Sequence, residues 1–204
     1  IDTTKNARIT VAMIISILLR LNFFTDTIII TTSFINYKGV LFMKISPNYQ
    51  LSVLSEDEYV QQMPEISRQL EQIRQEGTFP GFDGKALYYE YFLAENARGT
   101  IVVVHGLSEF TRKFYEFSWY MLNQGFNVFL YDQRGHGRSC RLTPCDEVLH
   151  VDHFSHYQKD LACFVTSVVQ KAVDGPMYLF AHSMGCAAAA QYLAGHPGVF
   201  EKVV

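Results

Sequence analysis

The chain has 204 residues, 49% of them hydrophobic and 18% charged, with a formal net charge of −3. That balance suits one globular domain with a real core, and it excludes intrinsic disorder, collagen-like repeats and a multidomain assembly. It carries no global basic field to draw in nucleic acid. The four cysteines, Cys140, Cys145, Cys163 and Cys186, are too few and too irregularly spaced for a disulfide scaffold or a zinc pair, and read as reduced thiols of an intracellular protein.

Composition breaks near residue 43. The first 42 residues hold nine isoleucines and no proline, whereas the remaining 162 hold four isoleucines and all six prolines. The expected organisation is a non-domain extension over 1–42, a helical lead-in over 43–76 and a partial α/β domain over 77–204. The chain opens on Ile1 and stops in the apolar pair Val203-Val204, which reads as a fragment or as misplaced gene boundaries. Three readings of the extension stay open. A membrane anchor needs about 18 or more apolar residues, but Ile9 to Leu19 ends at Arg20 and Asp26 interrupts the next stretch. A signal peptide fits Lys5 and Arg8 but lacks a cleavage site. The third reading is translated sequence upstream of a true start at Met43. The expected location is cytoplasmic, with membrane association through residues 9–36 as the alternative.

Along the domain, Ser55 to Gln75 predicts a helix capped by Ser55, with Glu56, Asp57 and Glu58 in its first turn, Pro64 as a kink or interruption, and Gly77 beyond its end. Phe79, the turn Asp83-Gly84 and the aromatic run Leu87 to Leu93 predict an antiparallel hairpin. Thr100 to Val104, Asn127 to Tyr131 and Met177 to Phe180 are short apolar runs suited to strands buried on both faces. Between them, helices are predicted over Phe114 to Asn123, His153 to Ala172 and Cys186 to Leu193. Lys202 to Val204 begins a further strand. Strands alternating with helices predict a doubly wound, mostly parallel α/β sheet with an antiparallel first hairpin.

Three segments carry chemistry. Ala181-His182-Ser183-Met184-Gly185 sits between a strand and a helix, where a sharp turn lifts a serine hydroxyl above the sheet edge and demands small neighbours. The helix N-terminus beside it favours a developing anion. A chance serine in an ordinary turn is the alternative that five residues leave open. His105-Gly106-Leu107 ends the Thr100–Val104 strand, so it belongs to the same edge. Its glycine allows close backbone approach, the next N–H can face a reacting carbonyl, and His105 reads as a structural hydrogen-bonding residue. Asp132 to Ser139 fails the dinucleotide pattern, because Cys140 stands where glycine or alanine is needed, and reads as a structural turn with Asp132 bonding locally.

The order H-G, then D-x-x-G-H-G-x-S, then H-S-M-G resembles the α/β-hydrolase superfamily, and within it the lysophospholipase and monoacylglycerol lipase group, also described as serine aminopeptidase-like hydrolases. His105-Gly106 with Glu109 and Arg112, the stretch His150 to Phe154 with Tyr157 and Asp160-Leu161, and His196 to Phe200 add to it over roughly Thr78 to Val204. The resemblance implies the N-terminal portion of an α/β-hydrolase fold, with Ser183 as nucleophile of a nucleophile elbow and the backbone N–H groups of Leu107 and Met184 as oxyanion hole. It implies an acyl-enzyme mechanism on a small lipid or ester substrate, with peripheral membrane contact as a further expectation and no cofactor. Glu109 and Arg112 would orient the loop or touch a polar head group. Aminopeptidase chemistry and a non-catalytic binding module are the alternatives. Two departures stand out: Ala181 replaces the commoner glycine, and Cys186 replaces a second one. Cys186 reads either as a small packed residue or as a thiol activated by the helix start.

In this family the general base and the orienting acid follow the serine, yet only 21 residues follow Ser183. At about 1.5 Å rise per residue, His196 should lie roughly 15–20 Å away. The chain alone is therefore expected to be inactive. His150, Asp152, His153 and His156 look metal-like, but H-E-x-x-H is absent and a polar helix start is the preferred reading; no metal is expected.

Overall fold

The computed structural model describes residues 53–145 and 147–204, together with the backbone of the strands β1 (Ser33–Tyr37) and β2 (Val40–Lys44). The two pair antiparallel, Ser33 opposite Lys44 and Tyr37 opposite Val40. The candidate anchor or signal falls, up to residue 32, outside the described residues. Among the described residues no helix is long and apolar enough to cross a membrane.

Helix α1 (Glu56–Ile73) starts as the sequence predicts. The Ser55 side chain accepts from the Glu58 N–H, and the Glu58 carboxylate accepts from the Ser55 N–H at 2.7 Å. Pro64 does not interrupt it. The carbonyl that proline leaves unpaired belongs to Val60, one turn earlier on a residue 70% exposed, where water can satisfy it. Gly77 is no helix stop. The chain passes through Arg74 directly into β3 (Gln75–Pro80), which contains it.

Strand β3 pairs antiparallel with β4 (Ala86–Phe92), and β4 antiparallel with β6 (Phe126–Tyr131). From there the sheet is parallel: β6 with β5 (Gly99–Val104), β5 with β7 (Met177–Ala181), and β7 with β8 (Lys202–Val203). The order is β3-β4-β6-β5-β7-β8. Every residue of β5 and β6 is buried, as continuous apolar runs require when both faces are covered.

Alternation along the strands divides the core. Ile101, Val103, Val128 and Leu130 meet α1 and α2 (Tyr115–Asn123) through Ile66, Leu70, Phe117 and Met121. Val102, Val104, Phe129 and Tyr131 meet α3 (Ser155–Phe164) and α5 (Met184–Gly195) through Leu161, Phe164, Ala189 and Tyr192. One difference from the predicted helix over 153–172 is a π-turn at Val165–Val169 before the short α4 (Gln170–Ala172). The wider turn lets Val165, Val168 and Val169 all be buried.

After β5 the chain turns to β6 on one side, then crosses back to β7 on the other. Its connecting helices lie on opposite faces. A doubly wound sheet opens a crevice at such a reversal, outside the carboxyl ends of the strands. The loops after β5 and β7 meet there.

Candidate active site

Ser183 links β7 to α5 with φ 52° and ψ −119°. A positive φ is strained for a residue with a Cβ, by about 1–3 kcal/mol, so the packing around it must enforce the turn. Gly185 explains how. A Cβ there would lie 2.4 Å from the Val104 carbonyl oxygen and 2.5 Å from that of His105, so only glycine lets the start of α5 press against the end of β5. This residue meets the small-neighbour requirement. Cys186, exposed, donates its thiol to the Ala181 carbonyl at 3.3 Å.

The loop after β5 closes on the serine. A Cβ at Gly106 would stand 3.0 Å from Ser183 Cβ and 3.0 Å from Glu109 Oε2. Ser108 also has positive φ, 59°, and Leu107 is 56% exposed. The backbone N–H groups of Leu107 and Met184 donate to no acceptor among the described residues, and Ser183 Oγ makes no hydrogen bond there.

His105 is held on all sides. The Gln133 N–H donates to His105 Nε2 at 2.9 Å, so the ring carries its proton on Nδ1 and donates it to the Gly106 carbonyl at 2.8 Å. Gln133 Nε2 donates to the His105 carbonyl at 2.6 Å. Burial pushes the His105 pKa down to about 3. It is a neutral strut, as its sequence position suggests. Gln133 carries no sequence signal of this: a polar residue inside a glycine-rich turn looks like any other.

Asp132 accepts from the Thr111 N–H at 2.7 Å and the Arg138 N–H at 2.8 Å, and its carbonyl takes the Ser139 hydroxyl. Gly137, φ 47°, is obligatory there, since a Cβ would lie 2.0 Å from Asp132 Oδ2. The turn is structural, as read from the sequence, and it ties the 3₁₀ turn at Thr111–Phe114 to the sheet. Beside it opens a cleft of about 530 Å³ lined by Ser108, Glu109, Arg112, His136, Arg138 and Arg141 among others. Ser183 does not line it; Glu109 does, and it bonds His182, the residue before the serine.

Glu109 and Arg112 part company. Glu109 Oε2 accepts from the Gly106 N–H at 2.6 Å and from His182 Nδ1 at 2.9 Å. Arg112 pairs with Glu71 on α1. The histidines lie elsewhere: His196 stacks on Tyr192 with ring centroids 4.2 Å apart, His136 bonds the Arg134 carbonyl through Nδ1, His150 pairs with Asp152 at 3.1 Å, and His153 packs on His156. Among the described residues no group of three histidine, cysteine or carboxylate side chains is arranged to hold a metal.

The model of the family described as serine aminopeptidase, S33, matches residues 95–204, more than half of the chain. Lysophospholipase L2 of Escherichia coli (strain K12) is 35% identical over 130 residues, covering 64% of this chain and 38% of that protein. Human (Homo sapiens) monoglyceride lipase is 29% identical over 123 residues, covering 60% and 39%. The chain thus spans less than two fifths of the length of either relative. A thermostable carboxyl esterase from Bacillus coagulans, solved with glycerol, superposes with a TM-score of 0.55 at 25% identity, over 64% of this chain and 43% of that one. The architecture is that of the α/β-hydrolases.

Proposed function

Because the chain belongs to the serine aminopeptidase, S33, hydrolase family, we propose that it carries the nucleophile and oxyanion donors of a serine hydrolase acting on carboxylic esters of lipids, of the lysophospholipid or monoacylglycerol kind. The observation that carries this reading is the strained φ of Ser183, 52°, enforced by Gly185 and set against the Gly106 loop. Strained backbone of this kind clusters at active sites.

In the proposed sequence, Ser183 Oγ attacks the ester carbonyl carbon and gives its proton to a general base. The oxyanion forms between the N–H groups of Leu107 and Met184, which have no other partner among the described residues. The alkoxide leaves with a proton, and water then hydrolyses the acyl-serine. All seven histidines lie among the described residues, and none bonds Ser183. His105 uses both ring nitrogens elsewhere, and His196 lies at the far end of α5. The base comes, on this reading, from outside these 204 residues. Aminopeptidase chemistry is the second reading, favoured by the family description alone; the two relatives named above are lipid-ester hydrolases by description.

The full-length protein should label with a fluorophosphonate probe and hydrolyse a monoacylglycerol or lysophospholipid faster than an aminoacyl nitroanilide. Ser183→Ala should abolish labelling and lower kcat by about 10³-fold or more. The 204 residues alone should show no Ser183-dependent turnover. Labelling that survives Ser183→Ala overturns the assignment.

A further inference from the structure

We infer that Glu109 is a positioning residue that sets the distance between the two oxyanion donors; the inference rests on the serine-hydrolase reading above. The donors sit on loops from different strands. Leu107 follows Gly106 on the loop after β5, and Met184 follows His182-Ser183 after β7. Between these loops nothing covalent fixes the spacing. The β5–β7 pairing and the His182 N–H to Val104 carbonyl bond at 3.0 Å hold the strand ends together; beyond them one side-chain atom ties the loops to each other: Glu109 Oε2 takes the Gly106 N–H at 2.6 Å and the His182 Nδ1 proton at 2.9 Å. Each contact is to the residue directly before a donor or before the nucleophile. A carboxylate oxygen only accepts, so both partners point their hydrogens at it, and charge assistance shortens and strengthens both bonds. The Glu109 side chain is 17% exposed, so bulk water competes little for that oxygen.

The far side of the loop is clamped independently, by Gln133 on the His105 carbonyl at 2.6 Å and by His105 on the Gly106 carbonyl at 2.8 Å. The peptide before Gly106 is therefore held at its N–H by Glu109, and the peptide after it is held at the Gly106 carbonyl by His105, which orients the N–H of that second peptide, Leu107's. An oxyanion hole acts through donors aligned before the charge develops, and a loop that must reorganise at that moment gives up part of the effect. Glu109 touches neither the serine hydroxyl nor the reacting carbonyl; it acts through the Gly106 N–H and the His182 ring that it holds.

The test uses the full-length protein and a short-chain nitrophenyl ester, with Glu109→Ala, Glu109→Gln and Glu109→Asp compared against wild type and Ser183→Ala. Position, not charge, is what the inference requires. Glutamine keeps an acceptor oxygen at the same reach, whereas aspartate keeps the charge but falls one methylene short. The expected order of kcat is Glu, then Gln within about tenfold, then Asp and Ala, each down about 10–100-fold, with KM changed less than about threefold. An order in which Asp exceeds Gln overturns the inference in favour of a charge effect. A loss carried by KM overturns it in favour of direct substrate contact, and an Ala variant with wild-type kcat overturns it outright. If Glu109→Ala does not fold, the Gln-against-Asp ranking decides alone. Failure of the underlying reading shows separately, as Ser183→Ala equal to wild type.

Discussion

Glu90, fully buried on β4, shares a phenol with Glu76. The Tyr88 hydroxyl lies 2.5 Å from Glu76 Oε2 and 2.9 Å from Glu90 Oε2. One phenolic proton serves one carboxyl. Glu76 is held by Arg74 at 3.1 Å and Arg138 at 3.0 Å, which keeps it ionised, so the second proton belongs to Glu90. Burial raises the Glu90 pKa accordingly. A carboxyl whose folded pKa lies above its unfolded value contributes stability that is present at low pH and lost as pH rises through the folded pKa. Glutamine mimics the protonated acid. Glu90→Gln should therefore stabilise the protein at pH 8, with the gain shrinking as the pH falls towards 4; urea unfolding at the two pH values measures it. A variant less stable than wild type at pH 8 would place the proton elsewhere.

At the scale of elements, α1 shows how local chemistry and tertiary burial divide the work. Its start is set by the Ser55–Glu58 capping box and its buried stripe by Ile66, Leu70 and Ile73, which dock on α2. Ser55→Ala removes the acceptor of the Glu58 N–H. The loss should be about 1 kcal/mol, read as a lower urea midpoint with unchanged slope. No effect on Ser183 labelling is expected, because α1 sits on the sheet face away from α5. The π-turn in α3–α4 makes the complementary case. Spacings of three and four from Phe154 to Val168 predict one regular helix, and the sheet's demand for three buried valines inserted a wider turn.

Across the whole molecule, Arg134 joins parts that are distant in sequence. Its guanidinium, 1% exposed, reaches Asp160 on α3 at 2.6 and 2.8 Å and Asp83 in the β3–β4 turn at 3.2 and 3.3 Å, and stacks on Phe82 with 4.7 Å to the ring centroid. Glycine at position 81 is needed beside it, since a Cβ would lie 2.6 Å from Asp160 Oδ1. Removing Asp160 leaves the buried Arg134 with only the longer Asp83 contacts. Asp160→Ala should cost about 3–5 kcal/mol in urea unfolding, against a surface pair such as Arg68–Glu65, whose loss should cost under about 1 kcal/mol. Hydrogen bonding to Arg134 holds the Asp83 carboxyl well below the usual range. Its contribution is thus present above the unfolded carboxylate pKa and fades as the pH falls through the folded one. An Asp160→Ala protein as stable as wild type would show that this network contributes nothing.

What could be read from residues alone was whatever burial writes locally. Thr100–Val104 and Asn127–Tyr131 announce doubly covered strands because a run with no polar face has nowhere else to go. Ala181 to Gly185 announces a tight turn because small residues stand two before and two after the serine. The D-x-x-G-H-G turn is legible for the same reason: Gly137 leaves room for Asp132. Partnership across the chain is not written locally. That β7 pairs with β5, bringing Ser183 against Gly106, depends on which edges remain open after α2 and α3 cover opposite faces. Gln133 clamping His105, Glu109 reaching His182 across 73 residues, and Arg134 finding Asp160 are decided by the same three-dimensional packing. A side chain's hydrogen-bond partner is set by distance in the folded state, and distance in space has no period in the sequence.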